Sequence, residues 1–293
     1  MRDYVFMTDS DSDLPFRHVD EKDIEMVYMP YSVDGVEYKD DLGRSGRQKE
    51  YFDKMRAGGV PVTSALNMQN YLDILEPFFA QGRDVLFLAF SSQLSATINF
   101  LRQAVDELKT MYPERRCRVV DTLSISAPQT LLILEAYKRY EQGQGLDEVA
   151  DWVEQNRMRA QAWITVDDLI YLKRGGRISS AAATMGTLLD LKPIIVESRS
   201  GKMTPAEKVR GRKAAIRLIA ERTAENIENP ADQTIIIMQA DAPEDAKRLE
   251  AAIREKVPDI GDVETIFVGP VIGAHCGPGT LAACFMGKER PIE

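Results

Sequence analysis

Four short runs in this chain carry side chains able to hold a small polar group: Asp9-Ser10, Pro61-Val62-Thr63-Ser64, Ser91 to Thr97, and His275-Cys276-Gly277-Pro278-Gly279-Thr280. Each sits after a strand-like stretch or at a predicted helix start. In an open α/β sheet, ligands bind outside the carboxyl ends of the strands. There the free N–H groups and positive dipole end of a helix favour an anion. Hydroxyls such as Thr63, Ser64 and Ser95 add adjustable donors, so a carboxylate or a phosphate suits such a site. A second reading stays open for each hydroxyl, because Ser or Thr before a helix also serves as its N-cap. His275, one of 2 histidines, reads either as a hydrogen-bonded packing residue after an apolar strand or as a ligand donor. The other, His18, reads as surface, and Asp121 as the cap of the turn after it. Lys173-Arg174-Gly175-Gly176-Arg177 and Lys208 to Lys213 are basic runs, read either as solvated faces or as docking surfaces for an acidic partner. The paired glycines call for special backbone angles or a close approach.

The elements that must place these residues follow from apolar periodicity. Tyr4 to Met7 is a short buried strand. Ser32 to Tyr38 holds Asp34-Gly35 between two short runs, a hairpin signal. Val85 to Phe90 is an unbroken apolar run, as in a strand buried on both faces. Ile98, Leu101, Val105 and Leu108 recur at helical spacing, a strand follows at Cys117 to Asp121, and helices follow over 128–140 and 146–159. After residue 160, strands are expected at Ala162 to Val166, Pro193 to Glu197, Thr234 to Met238 and Val263 to Phe267. Helices are expected near 209–227 and 243–256. The order of elements gives an α/β fold of two domains: residues 1–160 around a parallel sheet flanked by helices, and residues 161–293 with a mixed or antiparallel sheet.

Composition narrows the function. The chain has 293 residues, 44% of them hydrophobic and 28% charged, enough for a sizeable core without staples. Its formal net charge of -9 argues against a general binder of nucleic acid, which needs lysine and arginine to displace counterions. No apolar run approaches the roughly 20 residues that span a bilayer. The 3 cysteines lack metal-ligand spacing, so neither a metal nor a disulfide framework is expected. Cytosol is the expected location.

Taken in order, these runs resemble the DegV family, the bacterial fatty-acid-binding proteins that serve as the B subunit of fatty acid kinase. Val5 to Ser10 is similar to the family's opening strand and Asp-Ser turn, and Tyr31 to Tyr38 to its early hairpin. Thr63-Ser64 falls at its Thr-Ser pair, and Leu94-Ser95-Ala96-Thr97 at its Leu-Ser-Gly-Thr motif. Leu169 to Ser179 is the most specific segment, and His275 to Gly279 closes the set. The chain departs from the pattern at Ala96, where glycine is usual, and at Ala65-Leu66-Asn67.

The resemblance implies a long-chain fatty acid whose carboxylate is held by Thr63, Ser64, Ser95 and His275. Its acyl chain would run in an apolar tunnel between the domains, with Met185, Leu188 and Leu189 in the wall. It further implies no cofactor, and a partner, the catalytic subunit of fatty acid kinase, that phosphorylates the carboxylate to an acyl phosphate. Arg210 and Arg212 are the candidate docking residues. No Gly-x-x-x-x-Gly-Lys-Ser/Thr loop is present, so ATP chemistry falls to the partner and the chain itself is not read as an enzyme. The alternative is a serine hydrolase or acyltransferase using Ser95 or Ser92 with His275 and Asp9 or Asp121. No Gly-x-Ser-x-Gly elbow supports it.

Overall fold

Alternation and unbroken apolar runs resolve into three sheets in the computed structural model, which describes residues 4–178 and 190–292. The first sheet has the order β2-β1-β6-β7, from β1 (Tyr4–Asp9), β2 (Glu25–Val27), β6 (Asp84–Ala89) and β7 (Cys117–Asp121), with every pair parallel. Odd and even residues of β1 and β6 face opposite ways, and helices cover both sides. Phe6, Leu86 and Leu88 pack with Tyr137, Val149 and Val153. Met7, Val85 and Phe87 pack with Tyr71, Leu75 and Leu101. This double burial is why β6 reads as a continuous apolar run.

The small second sheet, β4-β3-β5, is antiparallel and comprises β3 (Pro30–Val33), β4 (Val36–Lys39) and β5 (Val62–Thr63). Asp34 and Gly35 between β3 and β4 both take positive φ, 53° and 77°, the conformation that a two-residue hairpin turn with matching twist demands. Thr63, Tyr31 and Tyr38 lie in register across this sheet.

The third sheet has the order β10-β9-β8-β13-β11-β12, from β8 (Ala160–Thr165), β9 (Leu191–Glu197), β10 (Met203–Arg210), β11 (Ile235–Gln239), β12 (Val263–Phe267) and β13 (Leu281–Met286). It is mixed: β11 and β12 are parallel and the other pairs antiparallel. Trp163, Ile194, Ile237 and Phe285 point to one face, packed on the helices Arg212–Asn226 and Pro243–Lys256. Ala162, Ile164, Ile236 and Met238 point to the other, where they meet Phe90, Leu94, Ala127 and Leu131 from the first half of the chain. The period of two thus divides each strand between an outer helical layer and the seam with the first half.

Four sequence expectations change. The helix expected near 209–227 begins at Arg212, because Lys208, Val209 and Arg210 belong to β10, paired with β9, and Gly211 at φ 85° separates the two elements. Strands β10 and β13 appear where none was expected. β13 runs Leu281 to Met286 through small apolar residues that suit a central position between β8 and β11. The apolar run before His275 is a helix, Pro270–Cys276, not a strand: Pro270 occupies its first turn and Gly277, at φ 78°, follows its end. His18 is not a free surface residue. Its Nε2 lies 3.0 Å from Glu264 Oε1. The proposed tunnel residues Met185, Leu188 and Leu189 lie outside the described residues. Among the described residues, no helix is long and apolar enough to cross a membrane.

One buried arginine joins the halves. Arg290, 1% exposed, meets Glu197 Oε2 at 2.7 Å. It also donates to the carbonyls of Ala160 (2.9 Å), Leu123 (2.6 Å) and Ser198 (3.1 Å) and to the Ser124 hydroxyl. Burial pushes the Glu197 carboxyl up to about 7, against the opposing pull of the Arg290 charge and the Ile125 N–H. Arg290→Ala is expected to cost about 3–5 kcal/mol of unfolding free energy, since it strands Glu197 without its partner. In chemical denaturation the deficit should be smaller at pH 5 than at pH 8, because a carboxyl whose folded pKa is raised gains stability from protonation and loses it as pH rises.

Candidate functional site

The seam between the third sheet and the first half encloses a cavity of ≈ 270 Å³. Its wall is mainly apolar: Ala162 and Ile164 of β8, Met238 of β11, Phe90 after β6, Ile125, and Ile272 of the Pro270–Cys276 helix. Polar side chains gather from distant parts of the sequence. Thr63, Ser64, Ser95, His275, Arg177 and Asp11 all line the same cavity.

Each is placed by its own element. β5 pairs Thr63 with Tyr31, and Ser64 N–H continues the contact by donating to Pro30 O at 3.2 Å. Ser95 ends a tight turn in which its N–H donates to Ser91 O at 3.3 Å. Its hydroxyl accepts from Thr97 N–H, also at 3.3 Å, just before the helix Thr97–Met111. Ala96 holds the N-cap position of that helix without a side-chain cap bond, while Ser95 contacts the first helical N–H and lines the cavity. Thr63 and Ser64 are not caps of the helix Met68–Ala80. Asn67 holds that position, in a reciprocal capping box with Asn70.

His275 lies near the end of its helix with Nε2 3.0 Å from Thr63 Oγ1. Its Nδ1 has no hydrogen-bond partner among the described residues. Burial, and secondarily the positive charge of Arg177, lowers its pKa to about 4, so the ring is neutral near pH 7. A neutral imidazole has one N–H to donate and one nitrogen to accept. Gly175 is required beside it: a Cβ at that position would stand 2.3 Å from His275 Nδ1. The second glycine, Gly176, takes φ 72° and turns the chain so that Arg177 enters the cavity. There Arg177 Nε donates to Leu94 O at 3.1 Å and its Nη1 donates to Gly175 O. The close approach and special backbone angles expected of the glycine pair are both present.

An acid cluster underlies this polar end. Asp9 accepts from Phe90 N–H at 2.9 Å and from the Gln129 amide at 3.2 Å. Burial raises its pKa to about 6 and that of Asp40 to about 7, and pushes Asp11 and Asp13 well up. Of these four only Asp11 lines the cavity.

The hydrolase grouping is not assembled. His275 bonds Thr63, and Asp9 is occupied by Phe90 and Gln129. Asp121 Oδ1 accepts from Ser92 N–H (3.2 Å) and Leu123 N–H (3.1 Å), the turn-capping role expected of it. Among the described residues no cluster of three or more His, Cys, Asp or Glu could hold a metal ion. Of the two docking candidates, Arg210 is exposed on β10. Arg212 is committed within the chain, Nε to Asp245 at 2.8 Å and Nη2 to Gly279 O at 2.7 Å. Sequence reasoning named Arg177 only as part of a basic run and gave Asp11 no role. The glycine pair before Arg177 was the available signal, whereas Asp11 reads as ordinary turn chemistry among Asp9, Ser10, Ser12 and Asp13.

Comparison with known proteins agrees with this architecture. The family model described as "Uncharacterised protein, DegV family" matches residues 5–288. A DegV domain-containing protein of Clostridium perfringens is 38% identical over 290 residues, which cover 99% of each chain. Among solved structures, a fatty-acid-binding DegV family protein from Thermus thermophilus is 29% identical with a TM-score of 0.84, covering 98% of this chain and 100% of that one. A DegV lipid-binding protein from Thermotoga maritima is 26% identical with a TM-score of 0.84, covering 99% and 100%.

Two measurements check the geometry directly. The His275 ring, followed by NMR, should stay neutral until the pH nears 4, well below the ordinary histidine value of about 6.5. Because its folded pKa is depressed, the stability it contributes is present above about pH 6.5 and lost as pH falls toward 4. Gly175→Ala should displace the ring and return its titration toward the ordinary value.

Proposed function

The chain belongs to the DegV family, and from that premise we propose that it binds a long-chain fatty acid, carboxylate at the polar end of the cavity and acyl chain along the apolar wall. The observation that carries this reading is the convergence of Thr63, Ser64, Ser95, Arg177 and His275 on one mainly apolar cavity between two sheets. Hydroxyls and a neutral imidazole donate to a carboxylate without the desolvation cost of several buried charges, and Arg177 supplies one positive charge. The Thermus thermophilus and Thermotoga maritima relatives, described as binding fatty acid and lipid, support the assignment.

Apolar burial supplies the affinity. At roughly 0.8 kcal/mol per methylene, a long acyl chain gains more than about 10 kcal/mol gross, offset by several kcal/mol of association cost. The polar end then fixes which way the chain lies. In this arrangement the protein performs no bond chemistry. It presents the carboxylate to a partner kinase that forms the acyl phosphate, with Arg210 on the exposed edge of β10 as the docking residue. Arg212 supports that edge through Asp245 and Gly279.

Lipids extracted from the purified protein and analysed by mass spectrometry should contain near-stoichiometric fatty acid. Thr63→Ala/Ser95→Ala should be depleted, with each lost hydroxyl weakening binding about tenfold or more. A wild type that is empty and takes up no fatty acid of any length overturns the assignment. Arg210→Glu should reduce acyl phosphate formation by the partner kinase while leaving lipid content unchanged. Equal phosphorylation of the two proteins overturns the docking role.

A further inference from the structure

Asp11 is the one acid of the buried cluster that faces the cavity, at 4% exposure, and its Oδ1 has no hydrogen-bond partner among the described residues. A buried polar atom left unpaired costs free energy, so a residue that carries one in the wall of a binding cavity marks where a ligand group belongs. Its surroundings decide the form in which it waits. Burial is the main force that presses a proton onto it, and Asp9 on β1, Asp40 after β4 and Asp13 after the Ser10–Ser12 turn act in the same direction. Arg177, from the loop after the helix Ile170–Arg174, is the opposing charge, and His275 on the Pro270–Cys276 helix is neutral beside it.

A carboxylate ligand in this cavity would be repelled by an ionised Asp11, and attracted by a protonated one. An O–H···O⁻ bond between an acid and a carboxylate is among the short, strong hydrogen bonds. From the place of Asp11 in the cavity wall, its unpaired oxygen and the acids behind it, we propose that Asp11 is a further ligand-contacting residue, donating a hydrogen bond from its carboxylic acid to the bound fatty-acid carboxylate. This deepens the fatty-acid assignment and rests on it. The proton remains on Asp11 throughout, and no bond is made or broken. The site then recognises its anion with Thr63, Ser95 and His275 as neutral donors, Arg177 as the cation, and Asp11 as an acid that burial, with its acidic neighbours, keeps in the donating state.

The test uses a C16 fatty acid carrying ¹³C at the carboxyl carbon, with wild type, Asp11→Ala and Asp11→Asn. Asp11→Ala is expected to weaken binding about tenfold and to move the bound carboxyl resonance. Asp11→Asn, which keeps a donor of nearly the same shape, should recover most of the affinity while its resonance still differs from that of wild type. Should Asp11→Ala fail to fold, the resonance in Asp11→Asn carries the test. Variants with wild-type affinity and an unmoved resonance overturn the role of Asp11 and leave the fatty-acid assignment standing. A wild type that binds no fatty acid overturns that assignment, and this role with it.

Discussion

The Arg290 guanidinium holds the seam on which everything else depends. Wholly buried, it reaches the start of β8, the end of β9 and the turn after β7 through three carbonyls, a hydroxyl and a carboxylate. Glu197, its partner, also accepts from Ile125 N–H at 2.9 Å, and both Glu197 and Ile125 line the cavity. The planar five-donor fork of arginine suits this many fixed acceptors, which a lysine could not satisfy. A seam fastened by polar contacts at its edge leaves room inside for an apolar space that the two halves need not fill by packing alone. The side chains that project into it from the third sheet, Ala162, Ile164 and Met238, are held by their strands, so the cavity wall is preorganised.

At the other end of the cavity the electrostatics are set by scarcity of charge. His275 is held neutral by burial and by Arg177, and the buried aspartates are pushed toward their protonated forms. Arg177 is thus the cation that lines the cavity among the described residues, in the company of the uncharged side chains Thr63, Ser64, Ser95 and His275. Such a site gives an incoming anion more stabilisation than it would an amine or a neutral lipid. Glycine makes the crowding possible. Gly175 admits the His275 ring, and Gly277, whose Cβ would stand 2.2 Å from the Tyr171 ring, lets the helix bearing His275 pack against Ile170–Arg174.

Much of this was legible before any coordinates. The hairpin at Asp34-Gly35, the doubly buried β6 and the later strands at Ala162, Pro193, Thr234 and Val263 follow from turn chemistry and from apolar runs. The shortest and most mixed segments did not. The seven residues Pro270–Cys276 form an apolar run too brief for period alone to separate helix from strand. β10 ends in Lys208-Val209-Arg210, whose charges blend into the helix that follows, and only Gly211 marks the break.

What the sequence determined by itself was most of the longer elements, through local propensity and spacing of two or 3.6 residues, together with the acidic character of the chain and the residue types at each candidate position. It named Thr63, Ser64, Ser95 and His275 as separate loci. Only the tertiary structure decided that Thr63 and His275, 212 positions apart, share a hydrogen bond, that Arg212 is spent inside the chain while Arg210 is exposed, and that Asp11 faces the cavity while Asp9 and Asp13 do not. Those outcomes depend on which groups lose water together and which partners remain within reach, and burial of that kind is a property of the packed whole.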